Sequence, residues 1–342
     1  MGAPPAGASP TTRLAPSPTG LLHLGHARSF LAAWWVARAR GGRVRLRIED
    51  LDRGRSRPEW DDAARADLEW LGLDWDGPVL VQSTDLAPYH SAIDQLLRAG
   101  AAFACVCTRR ELLEALDAPH ATGDEVPYAG TCRDRYQDPA AAERASGRAA
   151  GVRFRVPPGP REIVDQIHGS VIANPAAECG DFLVLRRDGA IAYQLAVVVD
   201  DARQGVDLVV RGEDLLPSSA RQELLQDALG LARPSWCHVP LVLDSEGERL
   251  SKRAGSPPLA ELRANGVDPR RVVGWAAASL GLVTDERAPD EGLDAAGWIP
   301  HLRLDRIARD PVRIDSSSFG PAAEPERGRS DPAGGSDTTW SA

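Results

Sequence analysis

Lysine is almost missing from this 342-residue chain: of 40 basic side chains, 39 are arginine and one is lysine, Lys252. Arginine is a planar fork that stays charged, whereas lysine is a compact point charge on a flexible stem. A chain that writes arginine nearly everywhere marks position 252 as a place where the fork does not serve. Cysteine is sparse too, with five copies at uneven spacing. That excludes a secreted disulfide framework and fits a reducing compartment, with metal binding as a candidate use. No apolar run exceeds Phe30–Ala37, far short of a bilayer crossing. The opening MGAPPAGASPTT lacks the apolar core of a signal peptide, and Ala6 stands where a myristoylation signal needs Ser or Thr. The expectation is a cytoplasmic protein away from the membrane. Positive charge is not in excess either: the net charge of −9 argues against generic DNA binding but leaves room for a local basic patch.

What is present is an ordinary globular composition, 43% hydrophobic and 26% charged. Strand and helix patterns alternate. Strands are expected at Arg13–Ala15, Arg43–Ile48, Phe103–Cys107, Phe182–Leu185, Ala192–Val199, Val206–Val210 and Val239–Leu243. Helices are expected over 25–40, 58–71, 89–100, 218–229 and within 258–282. This pattern predicts an α/β fold with a mostly parallel sheet. The Pro/Ala/Gly-rich residues 1–12 and the stretch 316–342 read as disordered. Charge is segregated: residues 13–57 carry a net +7 and residues 59–94 a net −8. The first stretch either meets phosphates or balances the second across a folded surface.

Two motifs carry chemistry. In the first, a strand feeds a Pro/Gly turn and then His23-Leu-Gly25-His26 at the start of a helix. Backbone N–H groups at a helix start attract anions, Gly25 allows a nucleotide close approach, and two imidazoles can donate to a phosphate gaining charge. In the second, Arg249-Leu-Ser251-Lys252-Arg253 lies in a polar cationic loop and contains the single lysine. An ammonium there can follow the β- and γ-phosphates as pyrophosphate leaves. Either motif alone is weak; the pair, about 225 residues apart on an α/β pattern, is specific.

The pair resembles the HIGH and KMSKS signatures of class I aminoacyl-tRNA synthetases. R-L-A-P-S-P-T-G-L-L-H-L-G-H-A-R (13–28), R-I-E-D-L-D (47–52), V-V-R-G-E-D-L-L (209–216) and R-L-S-K-R (249–253) are similar to the glutamyl-tRNA synthetase group, over 13–285. The loop departs from the family at Arg249, which replaces the commoner lysine and keeps the charge. The resemblance implies a Rossmann-like catalytic domain split into 13–102 and 191–257, a connective insertion at 103–190, and a helical segment at 258–315. ATP and Mg²⁺ are the implied reactants, with His23, His26 and Lys252 catalytic and His23, Gly25, His26, Ser251 and Lys252 around ATP.

Glutamate carries two carboxylates and one ammonium. Arg13 and Arg211 are the implied cations, Glu49 the anion, and Ser17 and Tyr193 the neutral partners; which arginine meets which carboxylate stays open. Cys105, Cys107 and Cys132 can hold zinc, which wants a fourth ligand. Generic chemistry favours His120, while the resemblance favours Tyr128. Cys179 and Cys237 read as plain buried thiols.

Only 90 residues follow Lys252, so no helical anticodon-reading module is expected. This is similar to the short paralogues of the group, and so is the stretch 192–216. The implied activity is tRNA-independent glutamyl-adenylate formation, then transfer to queuosine in the anticodon of tRNA(Asp), by a monomeric enzyme. Two readings compete: a truncated synthetase charging the tRNA 3′ end with a partner chain, and a non-enzymatic glutamate or nucleotide sensor. An adenylyltransferase of similar fold would not need Arg13 and Arg211 around Glu49.

Overall fold

In the computed structural model, the described residues are 9–115, 128–243, 247, 257–282, 292–307, 309–313 and 319. The chain starts with strand β1 (Thr11–Leu14), helix α1 (Leu24–Arg38), strand β2 (Arg43–Ile48), helix α2 (Pro58–Trp70), the short strand β3 (Leu80–Val81) and helix α3 (Ala87–Arg98). β1 begins two residues before the sequence expectation, and both of its threonines are buried. α1 is apolar nearly all round, as suits a helix enclosed on every side. Its Leu31, Trp35 and Val36 are fully buried between the sheet and the C-terminal helices. Removing each such large side chain from water contributes about 2–3 kcal/mol.

Next come β4 (Ala102–Cys105), α4 (Arg109–Ala115), α5 (Pro139–Ser146), β5 (Gly151–Phe154), β6 (Arg161–Asp165), β7 (Gly169–Ala173), α6 (Pro175–Glu178) and β8 (Leu183–Leu185). β4, β5 and β8 form an antiparallel sheet. β6 and β7 form a hairpin closed through Gly169 at φ +75°, where glycine takes the left-handed conformation. Asp165 fixes the turn, its Oδ1 accepting the backbone N–H groups of Ile167 and His168 at 2.9 Å each.

The chain then returns through α7 (Tyr193–Gln204), β9 (Leu208–Gly212), α8 (Leu216–Leu229), β10 (Ser235–Val239), β11 (Val242–Leu243), α9 (Leu259–Ala264), α10 (Pro269–Ser279) and β12 (Val312–Arg313). Two expectations are corrected. The run Ala192–Val199, read as a strand from its valines, forms the first turns of α7. The expected strand Val239–Leu243 divides at Pro240 into the end of β10 and all of β11, since proline has no N–H for a ladder.

The parallel strands lie in the order β3-β2-β1 and β9-β10-β6, with β7 antiparallel at the edge. β1 and β9 meet at their starts, where Thr11 N donates to Asp207 Oδ1 at 2.7 Å and Asp207 N to Thr11 O at 3.0 Å. The connection reverses direction between them, and doubly wound sheets bind ligands beyond the strand ends at such a point.

The basic stretch 13–57 is used only in part inside the protein, since Arg40, Arg43, Arg53, Arg55 and Arg57 are exposed. Arg13, Arg28 and Arg47 are buried, and Arg38 pairs with Asp74 at 2.9 Å and Asp76 at 2.8 Å. Phe319, in the stretch that composition assigned to a disordered tail, is buried and meets Trp275 edge-on at 5.9 Å. Among the described residues, no helix is long and apolar enough to cross a membrane.

Candidate active site

The five predicted glutamate contacts converge at the reversal point. Arg13 lies on β1, Ser17 in the turn after it, Glu49 just past β2, Tyr193 at the start of α7 and Arg211 on β9. Ser17, Glu49 and Tyr193 line a cavity of about 820 Å³. Arg13 and Arg211 lie beside these residues, close enough for Arg13 to act on the charge of Glu49 and for both to act on Tyr193. Arg13 donates from Nη1 to Val210 O at 3.1 Å, which ties it to the strand carrying Arg211.

Glu49 sits in a buried charge network. Arg47 donates to its Oε1 from Nε and Nη2, at 3.1 Å each, and to Asp201 from Nη1 at 2.6 Å. Asp201 also faces Arg13 Nε at 3.5 Å. Burial raises the Glu49 pKa on balance, against the opposing pull of Arg47 and then Arg13. Ser17 Oγ reaches the other oxygen, Oε2, at 3.5 Å. An ammonium arriving in the cavity would find a carboxylate already oriented by Arg47.

Arg211 is held more tightly. Its Nε donates to His238 Nε2 at 3.0 Å, Nη1 to Gln222 Oε1 at 2.9 Å, and Nη2 to Leu215 O at 3.1 Å and Ser219 Oγ at 2.9 Å. Its guanidinium also lies over the Trp236 ring, 5.0 Å from the centroid. Burial lowers the Arg211 pKa, yet a guanidinium starts so high that the charge persists.

The two histidines of the first motif cap α1. His23 Nδ1 accepts from Gly25 N and His26 Nδ1 accepts from His23 N, both at 3.2 Å. Their ring centroids are 3.9 Å apart. With both Nδ1 atoms accepting, the neutral rings carry their protons on Nε2. A Cβ at Gly25 would lie 3.1 Å from the His23 ring, so the glycine makes room for the cap itself. The second motif, with Ser251 and Lys252, lies outside the described residues. Its approach is anchored: Arg28 Nη1 donates to Pro240 O, and Leu241 N donates to Glu213 Oε1 at 2.9 Å. Arg28 also donates to Ser279 Oγ at 2.8 Å, joining α1 to α10.

The sulfurs of Cys105, Cys107 and Cys132 lie within 4.8 Å of one another, with Cys107 and Cys132 at 3.5 Å. Sulfurs about 2.3 Å from a tetrahedral ion stand about 3.7 Å apart, so this cluster could hold zinc. Tyr128 Oη lies 3.7 Å from Cys105 Sγ and accepts the Cys132 N–H at 2.6 Å. The alternative ligand, His120, lies outside the described residues. Arg153 stacks over the Tyr128 ring at 4.1 Å and donates to Cys105 Sγ at 3.4 Å, a cation suited to thiolate charge. Cys237 is fully buried, and burial pushes its thiol up to about 12. Cys179 differs from expectation, being only half-buried on the wall of the large cavity.

Sequence reading missed Arg47, Asp201, Asp165 and His238. Arg47 had a signal: alternation along β2 puts Arg47 and Glu49 on one face, opposite Val44, Leu46 and Ile48. Asp165 and His238 are far apart in sequence and meet only because β6 and β10 are neighbours.

The family of class I tRNA synthetases (E and Q), catalytic domain, matches residues 10–281. A glutamyl-Q tRNA(Asp) synthetase of Nocardia farcinica is 50% identical over 315 residues, 92% of this chain and 96% of that protein. One from Symbiobacterium thermophilum is 46% identical over 318 residues, covering 90% and 96%. Among solved structures, a glutamate tRNA ligase from Elizabethkingia meningosepticum in complex with its amino acid aligns with TM-score 0.77 at 26% identity, over 91% of this chain and 68% of that one. The chain therefore belongs to the class I tRNA synthetases for glutamate and glutamine, as a ligase of their glutamyl-Q tRNA(Asp) synthetase branch.

Proposed function

We propose that the chain activates glutamate with ATP in the absence of tRNA and passes it to queuosine in the anticodon of tRNA(Asp). The observation that carries this reading is the charge arrangement at the β1/β9 reversal. Glu49 lines the cavity as an oriented acid, with Arg13 and Arg211 near it and Tyr193, and the imidazole-capped start of α1 is close in sequence to β1. That set complements an ammonium, two carboxylates and a phosphate.

In this reading the glutamate α-carboxylate attacks the α-phosphorus of ATP. The new P–O bond gives glutamyl-adenylate as pyrophosphate leaves. The Nε2–H groups of His23 and His26 stabilise charge on the phosphate, and Lys252 follows the leaving pyrophosphate. Class I synthetases use ATP with Mg²⁺, which supplies further charge neutralisation. A queuosine hydroxyl then attacks the carbonyl of the mixed anhydride and AMP leaves. Arg109, Arg186, Arg187 and Arg221 also line the cavity and suit a polyanionic second substrate. Zinc would be held by Cys105, Cys107, Cys132 and Tyr128, where it supplies a structural cross-link to the β4–β5–β8 sheet. The test is pyrophosphate exchange with glutamate and no tRNA: exchange supports the reading, and exchange only on adding tRNA supports an ordinary charging enzyme.

A further inference from the structure

A buried polar chain runs across three neighbouring strands and ends on Arg211. Asp165 on β6, His238 on β10 and Arg211 on β9 are all buried. His238 and Arg211 are paired in register on adjacent strands. Asp165 Oδ2 meets His238 Nδ1 at 2.7 Å and accepts the His238 backbone N–H at 3.0 Å. Its other oxygen accepts the two turn N–H groups, so four donors surround one carboxylate. Burial works against the charge of Asp165, but these hydrogen bonds outweigh it and hold the carboxyl below its usual range.

The tautomer of His238 follows from the partners. A guanidinium only donates, so His238 Nε2 must accept from Arg211 Nε. The proton then sits on Nδ1 and is donated to Asp165. Ser219 Oγ lies 3.4 Å from the same Nε2, in keeping with an acceptor there. A protonated imidazole would instead aim an N–H at the Arg211 N–H. Burial holds the ring neutral, with a pKa lowered to about 4; Asp165 raises it, and Arg211 and His168 lower it further. Gln222 is oriented in turn, its Nε2 donating to Gln194 Oε1 at 2.9 Å. Four of the five guanidinium hydrogens of Arg211 are thus committed among the described residues. One Nη1 hydrogen is left, in a fixed plane.

We propose that Asp165 and His238 are positioning residues for glutamate: through Nε of Arg211 they fix the guanidinium plane, so that its uncommitted Nη1 hydrogen meets a substrate carboxylate without reorganisation. This rests on the reading of Arg211 as a glutamate contact. Aligned donors that need not be reordered on binding are worth more than the same donors on a mobile side chain.

The test is pyrophosphate exchange with glutamate and ATP varied separately. His238→Ala is expected to raise the glutamate KM about tenfold or more while the ATP KM stays within about twofold. His238→Gln, which can return an acceptor to Arg211 Nε, is expected to recover most of the loss. Asp165→Asn is nearly isosteric, but its amide favours the opposite imidazole tautomer and turns a donor toward Arg211. It should therefore damage glutamate binding as much as His238→Ala. In an Arg211→Lys background, His238→Ala should add little. A glutamate KM within about twofold of wild type in both His238→Ala and Asp165→Asn overturns the proposal. So does an equal rise in both KM values, the mark of a merely structural pair. Absence of glutamate-dependent exchange in the wild-type protein would instead overturn the functional reading, and this proposal with it.

Discussion

Asp67 on α2 meets Arg263 on α9 at 3.3 Å, and the second carboxylate oxygen is buried with no hydrogen-bond partner among the described residues. Burial pushes the Asp67 pKa up to about 6, against the pull of Arg263. The folded protein therefore holds this proton to a higher pH than the unfolded chain does. The contribution to stability is unfavourable above pH 6 and fades as pH falls toward 4. Asp67→Asn should stabilise the protein by about 1–3 kcal/mol at pH 7.5 and by much less at pH 4. Urea denaturation at the two pH values checks this; an equal gain at both would contradict it.

The histidine caps of α1 separate two roles by atom. Nδ1 of each ring holds the helix start, and in the proposed reaction Nε2 is the atom that acts on the phosphate. Asparagine can place an oxygen near Nδ1 but nothing at Nε2. His23→Asn and His26→Asn should keep the cap, changing stability by less than about 1 kcal/mol. They should slow pyrophosphate exchange about 10- to 1000-fold with little change in glutamate KM. Thermal melts and exchange kinetics on the same samples check both halves.

Metal content should follow the sulfurs. Purified protein is expected to carry one zinc per chain by elemental analysis. Cys107→Ser should lower that content and the melting temperature together, since metal binding is linked to folding. Tyr128→Phe should weaken retention against a chelator less than Cys107→Ser does. Zinc content indifferent to both substitutions would contradict the assignment.

Lys252 offers a test that composition itself suggests. Lys252→Arg conserves charge but exchanges a flexible point charge for a rigid fork. Exchange should slow markedly, by about tenfold or more, with glutamate KM nearly unchanged. An unchanged rate would reduce the single lysine to an accident of codon usage.

The parts legible in the sequence were those written locally. The His23–His26 turn, β2 and the helix over Pro58–Trp70 all carry their signals within a few residues. α7 was misread because Leu195 to Val199 are buried on every side, which erases the periodicity that distinguishes helix from strand. Its C-terminal signal was nonetheless present, in Gly205 at φ +66°. The hairpin of β6 and β7 was missed because Val164 and Ile172 face outward there, against the usual pattern. The site divides in the same way. Motif residues could be named from their neighbours, whereas Asp201 and His238 acquire meaning only from strands and helices brought together by the fold.

The most direct test of the account uses labelled glutamate, ATP and tRNA(Asp) with its 3′-terminal adenosine removed, with and without queuosine in the anticodon. The account predicts label on the truncated RNA when queuosine is present and none when it is absent. Label that requires the intact 3′ end, whether or not queuosine is there, would contradict it.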